Sequence, residues 1–189
     1  MSDLPYVAVY ADESCLGNGR DGQNPGGAGG LIEFPAQRSD KITLMDFWIS
    51  DPSTTNNKMA LRGALEALRI LSRKGKRLRV DFTSDSQYLV KGMNEWVDAW
   101  ERRGWRRKEG EIENLDLWKE LKQANAAHQV KWQWVRGHNK HPQNEYADHL
   151  ATRAAREQTS SRGPIPSLYV EWLAEQQARG RLAPTPLNR

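Results

Sequence analysis

Apolar and polar residues alternate over 6–12, where Val7 and Val9 share a face, and again over 28–34 and 41–50. Period-two alternation predicts half-buried strands, so the chain opens as a three-stranded antiparallel meander. A long turn over 15–30, rich in Gly and carrying Asn18, Asn24 and Pro25, joins the first two strands. The period changes after Thr54. Leu61, Ala64, Leu65, Leu68 and Leu71 recur at helical spacing behind the polar run TTNN, which suits an N-cap. A helix over 56–72 follows. Arg69, Arg73 and Lys74 favour the negative end of its dipole, and Gly75 closes it. Ala60 lies on a stripe with Ala64, Ala67 and Leu71, at the edge of the buried face.

Leu78, Val80 and Phe82 predict a fourth strand that stops at Thr83-Ser84-Asp85. Residues 86–97 and 115–127 have helical apolar spacing. Val130, Trp132 and Trp134 alternate with Lys131 and Gln133 in a fifth strand. A loop over 136–142 leads to a final helix over 144–156. The order β-β-β-α-β-α-α-β-α predicts an α/β fold, a five-stranded mixed sheet with helices on its faces. This unit occupies 1–157. Beyond it, EQTSSRGPIP reads as a linker and 167–178 as a short helix presenting Leu168, Tyr169, Trp172 and Leu173. That helix docks back on the domain or frays; a motif for a protein partner is the alternative. The last nine residues, RLAPTPLNR, read as disordered.

Composition narrows the class. With 38% hydrophobic residues over 189 positions and a mean hydropathy of −0.82, the surface is heavily polar. No apolar run reaches the roughly 20 residues that span a bilayer, and no basic segment with an apolar stretch opens the chain. The lone Cys15 excludes an internal disulfide and a cysteine zinc site. Together these point to the cytoplasm. A net charge of +4 and a pI near 9.3 make a polyanionic partner plausible. The stretch 101–108, ERRGWRRK, sets five cations (Arg102, Arg103, Arg106, Arg107, Lys108) against Glu101 and so carries +4 by itself. Trp96, Trp100 and Trp105 are interleaved with it. This is either a patch that grips phosphates or a solvated face balanced by Glu109, Glu111 and Glu113.

Asp12 and Asp85 end the first and fourth strands, where sites form in open α/β sheets. Asp148 lies on the last helix and His138 on the loop before it. Acidic groups converging on one point repel, and a hard cation such as Mg²⁺ or Mn²⁺ is the natural explanation. Spacing alone leaves the alternative that each Asp is a cap or turn residue.

Local sequence decides between them. Residues 10–18 (YADESCLGN), 25–30 (PGGAGG), 54–61 (TTNNKMAL), 83–92 (TSDSQYLVKG), 114–120 (NLDLWKE) and 131–151 (KWQWVRGHNKHPQNEYADHLA) resemble the type 1 ribonuclease H family, bacterial type with a basic protrusion, in that family's order. The resemblance implies the ribonuclease H-like fold and metal-dependent endonucleolytic hydrolysis of the RNA strand of RNA–DNA hybrids. It implies that Asp12, Asp85 and Asp148 hold two Mg²⁺ ions, with Mn²⁺ as a substitute, and that His138 assists turnover and product release. Asn18, Asn56, Asn57 and Gln87 match residues that contact the hybrid's minor groove, and Thr55 a phosphate contact. Residues 101–108 match the basic protrusion, with Arg102, Arg103, Arg106, Arg107, Trp96, Trp100 and Trp105 toward the DNA strand. Two divalent ions about 3.5–4 Å apart activate a water and stabilise the leaving oxygen, and the 2′-hydroxyl marks the RNA strand.

Three departures stand out. Glu13 replaces a usual Gly; successive strand side chains point to opposite faces, so it reads as a poor substitute ligand. Residues 19–24 lengthen the turn after Asn18. Ala60 stands where the family carries its fourth metal-binding Glu, and Glu66, about 240° around and ~9 Å along the helix, cannot replace it. Those points predict a folded but impaired or inactive chain, with Ala60 as an engineered substitution. The alternative is a naturally non-catalytic hybrid or R-loop binding module. A third reading, an unrelated metal-dependent nuclease or integrase-like protein, conflicts with Asn56, Asn57 and Gln87. A monomer is expected.

Overall fold

The structure, a computed structural model, describes residues 4–17, 23–36 and 39–183. Six strands form one sheet: β1 (Tyr6–Cys15), β2 (Gly26–Pro35), β3 (Ile42–Asp51), β4 (Arg79–Ser84), β5 (Gln129–Trp134) and β6 (Ile165–Pro166), in the order β5-β4-β1-β2-β3-β6. The predicted meander is β1–β2–β3, antiparallel throughout, and β4 and β5 run parallel to β1. The sixth strand corrects the predicted five. Ile165 and Pro166 lie along Met45 and Asp46 at the free edge of β3. A two-residue bridge has no periodicity to read, and its Pro suits an edge strand, where no ladder N–H is missed.

Helix α1 (Asn56–Ser72) starts where the polar run predicts: Thr55 Oγ1 accepts from the Lys58 N–H at 3.3 Å. Its buried face, with Ala60, Leu61, Ala64, Leu65 and Leu68, packs in one cluster with Val7, Val9 and Ala11 of β1. The odd-numbered side chains of β1 therefore face α1. Helix α4 (Leu115–Ala126) completes this side with Trp118 and Leu121, both fully buried.

The predicted helix over 86–97 runs on to Arg102, but in three pieces. Helix α2 (Gln87–Lys91) passes through a π-helical turn (Gly92–Trp96) into α3 (Val97–Arg102). The wider turn sits where the Trp118 indole presses on Gly92, so closely that any Cβ there would overlap the ring.

Helix α5 (Pro142–Glu157) covers the opposite face of the sheet. It comes unusually close, because Cβ atoms at Gly27 and Gly29 would overlap the backbone of α5 around Leu150, Ala151 and Ala155. The glycines of β2 thus seat the helix that carries Asp148. Helix α6 (Tyr169–Ala178) docks as one of the two sequence readings expects, its Tyr169 packed with Leu31, Tyr146 and Leu150, while Trp172 and Leu173 flank that cluster. Of the last nine residues, 184–189 lie outside the described ones. No helix among the described residues is long and apolar enough to cross a membrane.

Candidate active site

Asp12 sits near the C-terminal end of β1 and is 7% exposed. Its Oδ1 accepts the Glu13 N–H at 2.7 Å, and its Oδ2 accepts from Asn144 Nδ2 at 3.4 Å. Asp85 follows the last residue of the neighbouring parallel strand β4. Its carbonyl accepts from Trp134 Nε1–H at 2.9 Å, and the backbone at Gly137 comes so near its carboxylate that a Cβ there would overlap Oδ2. One oxygen from each of Asp12, Glu13 and Asp85 lies within 4.8 Å of the other two.

Glu13 is expected to be a poor ligand by strand alternation, yet one of its oxygens lies with those of Asp12 and Asp85. The alternation argument is right as far as it goes: Asp12 is on the α5 side, touching Asn144, and Glu13 follows Val7, Val9 and Ala11 on the α1 side. Pairing between β1 and β4, however, ends at Tyr10 opposite Thr83, while pairing with β2 continues to Cys15. Past Tyr10 one edge of β1 is open. Side chains from both faces can reach that gap, and Asp85 enters it from β4. Ala60 belongs to the α1-side cluster that Glu13 extends, and it is 5% exposed. Glu13 thus brings a carboxylate to the same side of the sheet as position 60, from the strand instead of the helix. The expectation of an impaired site counts Asp12, Asp85 and Asp148 and leaves out Glu13, which stands beside the first two.

Asp148 is placed less tightly than predicted. It lies outside the Asp12–Glu13–Asp85 set, yet its charge raises the pKa of both Asp12 and Glu13. Thr152 Oγ1 donates to its Oδ1 at 3.4 Å. Burial raises the pKa of Asp148, and His138, exposed and at φ +51 on the loop past β5, opposes this with its charge. His149 and Asp148 line one groove with His138, continuing between α5 and α6.

Burial and crowding act together on these acids. Burial first, then Asp85, Glu13 and Asp148, push Asp12 up to about 9. Burial and Asp85 push Glu13 up to about 8, while the Ser86 hydroxyl holds it down. Without a cation such a set keeps protons. With a divalent cation the same repulsion becomes attraction, and the all-oxygen donors suit a hard ion.

The predicted substrate contacts fall into two groups. Thr55, Asn56 and Asn57 line a recess with Lys58, Glu113 and Asn114. Lys58 and Asn114 also line a neighbouring hollow with Trp105, Arg106 and Arg107, so the two form one trough at the start of α1. Gln87 opens α2, exposed, two residues after Asp85. Arg102, Arg103, Arg106 and Arg107 are exposed, and among the described residues none pairs with an acid within 4.0 Å; Arg107 donates to the Glu111 carbonyl at 3.5 Å. Trp96 and Trp100 are half-buried, their rings 5.8 Å apart and tilted to each other, and both meet Trp118 edge-on. They wedge the loop onto the core and offer little free face for stacking. Trp105 lies under Lys119. Asn18 lies outside the described residues.

Sequence reasoning misses Ser86, Gly137 and Asn144. Ser86 and Asn144 have only their membership of the TSDSQ and NEYAD runs as a signal; both are buried polar residues, at 8% and 2% exposure, next to the carboxylates.

Comparison with known proteins agrees with this geometry. The family model described as RNase H matches residues 5–156. A Ribonuclease H of Pelobacter propionicus is 43% identical over 152 residues, covering 80% of this chain and 85% of that protein. One of Stutzerimonas stutzeri is 42% identical over 154 residues, covering 81% and 93%. The solved structure of LC9-RNase H1, a type 1 RNase H with the type 2 active-site motif, is 54% identical with a TM-score of 0.90, covering 98% of this chain and 89% of that one. The chain belongs to the RNase H family.

Proposed function

We propose that this chain is an active ribonuclease H, hydrolysing the RNA strand of RNA–DNA hybrids with Asp12, Glu13, Asp85 and Asp148 as its metal-holding carboxylates. The observation that carries the reading is the convergence of Asp12, Glu13 and Asp85 oxygens within 4.8 Å. Two divalent ions, Mg²⁺ by the hardness of the donors, would activate the attacking water and stabilise the leaving oxygen. The protein's own part is to hold the carboxylates on rigid strand ends and to seat the hybrid. Thr55, Asn56, Asn57 and Gln87 offer amide and hydroxyl groups suited to the minor groove and its 2′-hydroxyls. Arg102, Arg103, Arg106 and Arg107 take the phosphates of the other strand. His138, on a loop beside Asp148, assists release of the product end.

The relative at 54% identity combines a type 1 fold with a type 2 motif, and a rearranged carboxylate set is what Glu13 with Ala60 gives this chain. Ala60 then needs no engineered origin, because the Glu13 carboxylate takes over its task. The reading includes a monomer acting in the cytoplasm, where a lone cysteine stays reduced.

The test is cleavage of a labelled hybrid, with duplex DNA and duplex RNA as controls, in Mg²⁺ and Mn²⁺. Hybrid-specific cleavage by the chain as it stands, lost in Glu13→Gln, supports the proposal. Tight hybrid binding without cleavage by either would favour a non-catalytic binding module instead.

A further inference from the structure

The site has a buried amide whose bonding is half complete. Asn144 lies in the first turn of α5, 2% exposed. Its backbone N–H is held by His141 Nδ1 at 3.3 Å, which caps the helix, so the side chain starts from a fixed point. Nδ2 donates to Asp12 Oδ2 at 3.4 Å, and Oδ1 is buried with no hydrogen-bond partner. Buried amide oxygens nearly always have one. With the Glu13 N–H on Oδ1 of Asp12, each oxygen of that carboxylate receives one N–H, one from its own strand and one from the opposite layer.

We infer that Asn144 is a positioning residue: its amide fixes the orientation of the Asp12 carboxylate toward the bound cation, and its free Oδ1 accepts a hydrogen bond from a water in that ion's shell. The inference rests on the reading of Asp12 as a metal ligand. The chemistry of the three groups supports it. A metal-bound carboxylate is ionised and can only accept, so the NH₂ end of Asn144 faces it and the carbonyl end is turned away. A hard divalent ion that dehydrates reluctantly keeps several waters, each with protons to donate. An amide carbonyl beside the carboxylate is what such a water requires, and an apolar side chain there would serve neither partner. Partners of this kind, which hold a ligand without touching the metal, typically change metal affinity 10–100-fold when removed.

The experiment titrates the full chain with Mn²⁺ alone by calorimetry, with no nucleic acid present. Asn144→Ala should weaken Mn²⁺ binding at least about 10-fold, and raise the Mn²⁺ concentration for half-maximal cleavage by a similar factor while KM for hybrid stays unchanged. Asn144→Leu, which keeps the side chain's shape, should do the same if Asn144→Ala fails to fold; Asn144→Gln should recover part of the affinity. Asp12→Asn is measured alongside. Loss of affinity in Asp12→Asn with none in Asn144→Ala or Asn144→Leu overturns the role of Asn144 and leaves the metal site standing. Unchanged Mn²⁺ affinity in Asp12→Asn overturns the metal-site reading and this inference with it. A change confined to KM for hybrid makes Asn144 a structural support of the substrate groove and also overturns the inference.

Discussion

The Tyr146 hydroxyl donates to Asp46 Oδ2 over 2.6 Å, between two residues that are each 2% exposed. The same Oδ2 accepts the Leu168 N–H at 3.2 Å, so one buried carboxylate on β3 fastens both α5 and the start of α6. Tyr146→Phe leaves that acid with one donor fewer. Hydrogen bonds to charged groups contribute about 1.5–3 kcal/mol, and a loss of stability of that size is expected in urea denaturation, with an unchanged m-value. Hybrid cleavage measured well below the transition should be unaffected, because the Tyr146 hydroxyl is bonded to Asp46, which is no part of the carboxylate set, and its ring packs on Tyr169 and Trp172.

Removing residues 158–189 tests the same joint more severely. The truncation takes away β6, which covers the edge of β3, and uncovers Leu31, Tyr146 and Leu150 where Tyr169 now packs. An exposed apolar patch and a bare strand edge favour association. The shortened protein should melt lower and sediment partly as oligomers, yet retain hybrid cleavage, since every carboxylate of the site precedes residue 149. Full inactivity of a folded, monomeric truncation would show that α6 belongs to the catalytic machinery.

Glu13 and Ala60 make a paired prediction. Glu13→Gly should lower kcat at least about 100-fold, beyond the 10–100-fold typical of groups that only support a ligand. Adding Ala60→Glu to Glu13→Gly should restore much of the loss, whereas Ala60→Glu alone should not raise activity, because it crowds a fifth carboxylate into a site that already pushes Asp12 up to about 9. Equal kcat values for Glu13→Gly and the parent chain would remove Glu13 from the site.

Much of this molecule is legible in its amino-acid sequence. The meander, α1 with its Thr55 cap, β4 ending at Asp85 and α5 carrying Asp148 all follow from period and turn chemistry, and the family's motifs place the carboxylates. What escapes depends on where partners stop. Side-chain alternation, which does not foresee Glu13 beside Asp12 and Asp85, is a property of one strand. The reach of Glu13 depends on β4 leaving β1 at Tyr10, which is a property of two. The bridge at Ile165–Pro166 has too few residues to show a period, and the π-helical turn answers to Trp118, 26 residues away from Gly92. The Trp residues beside the basic loop read equally well as stacking surfaces or as core, and only packing against Tyr88 and Trp118 separates the two.

The arginines at the end of α3 and in the loop after it, none of them in an ion pair, give a salt-dependent prediction. Neutralising Arg102, Arg103, Arg106 and Arg107 should weaken hybrid binding and lower the slope of log K against log salt by roughly 0.7–0.9 for each phosphate that is no longer neutralised. The kcat on saturating hybrid should change little, because none of these side chains belongs to the carboxylate set. Fluorescence anisotropy across a salt series reads the slope directly. A slope identical to that of the parent chain would mean the loop does not touch the hybrid.

His128 sets the acid limit of the far end of the sheet. It is 4% exposed, and its Nδ1 accepts the Leu78 N–H at 3.3 Å. Nδ1 therefore carries no proton, and the neutral ring donates from Nε2 to Ser72 Oγ at 3.0 Å, which in turn donates to the Leu68 carbonyl at 2.9 Å. Burial pushes its pKa below the usual 6.5; the Leu68 carbonyl opposes this and Arg77 adds to it. A base whose pKa is lower folded than unfolded binds fewer protons when folded, so its contribution to stability is complete above about 6.5 and is lost as pH falls through that value, by at most about 1.4 kcal/mol per pH unit. Protonation also puts a hydrogen where Leu78 N–H needs an acceptor. The raised carboxylates of the site act in the opposite sense in metal-free protein, so the informative quantity is the difference between the parent chain and His128→Asn, which keeps an acceptor but cannot titrate. That difference, from urea midpoints at pH 5 to 8 with chelator present, should be flat above pH 7 and should move in favour of His128→Asn below pH 6.5. A difference independent of pH would mean that the ring is protonated equally in both states and that the Leu78 contact does not require its neutral form.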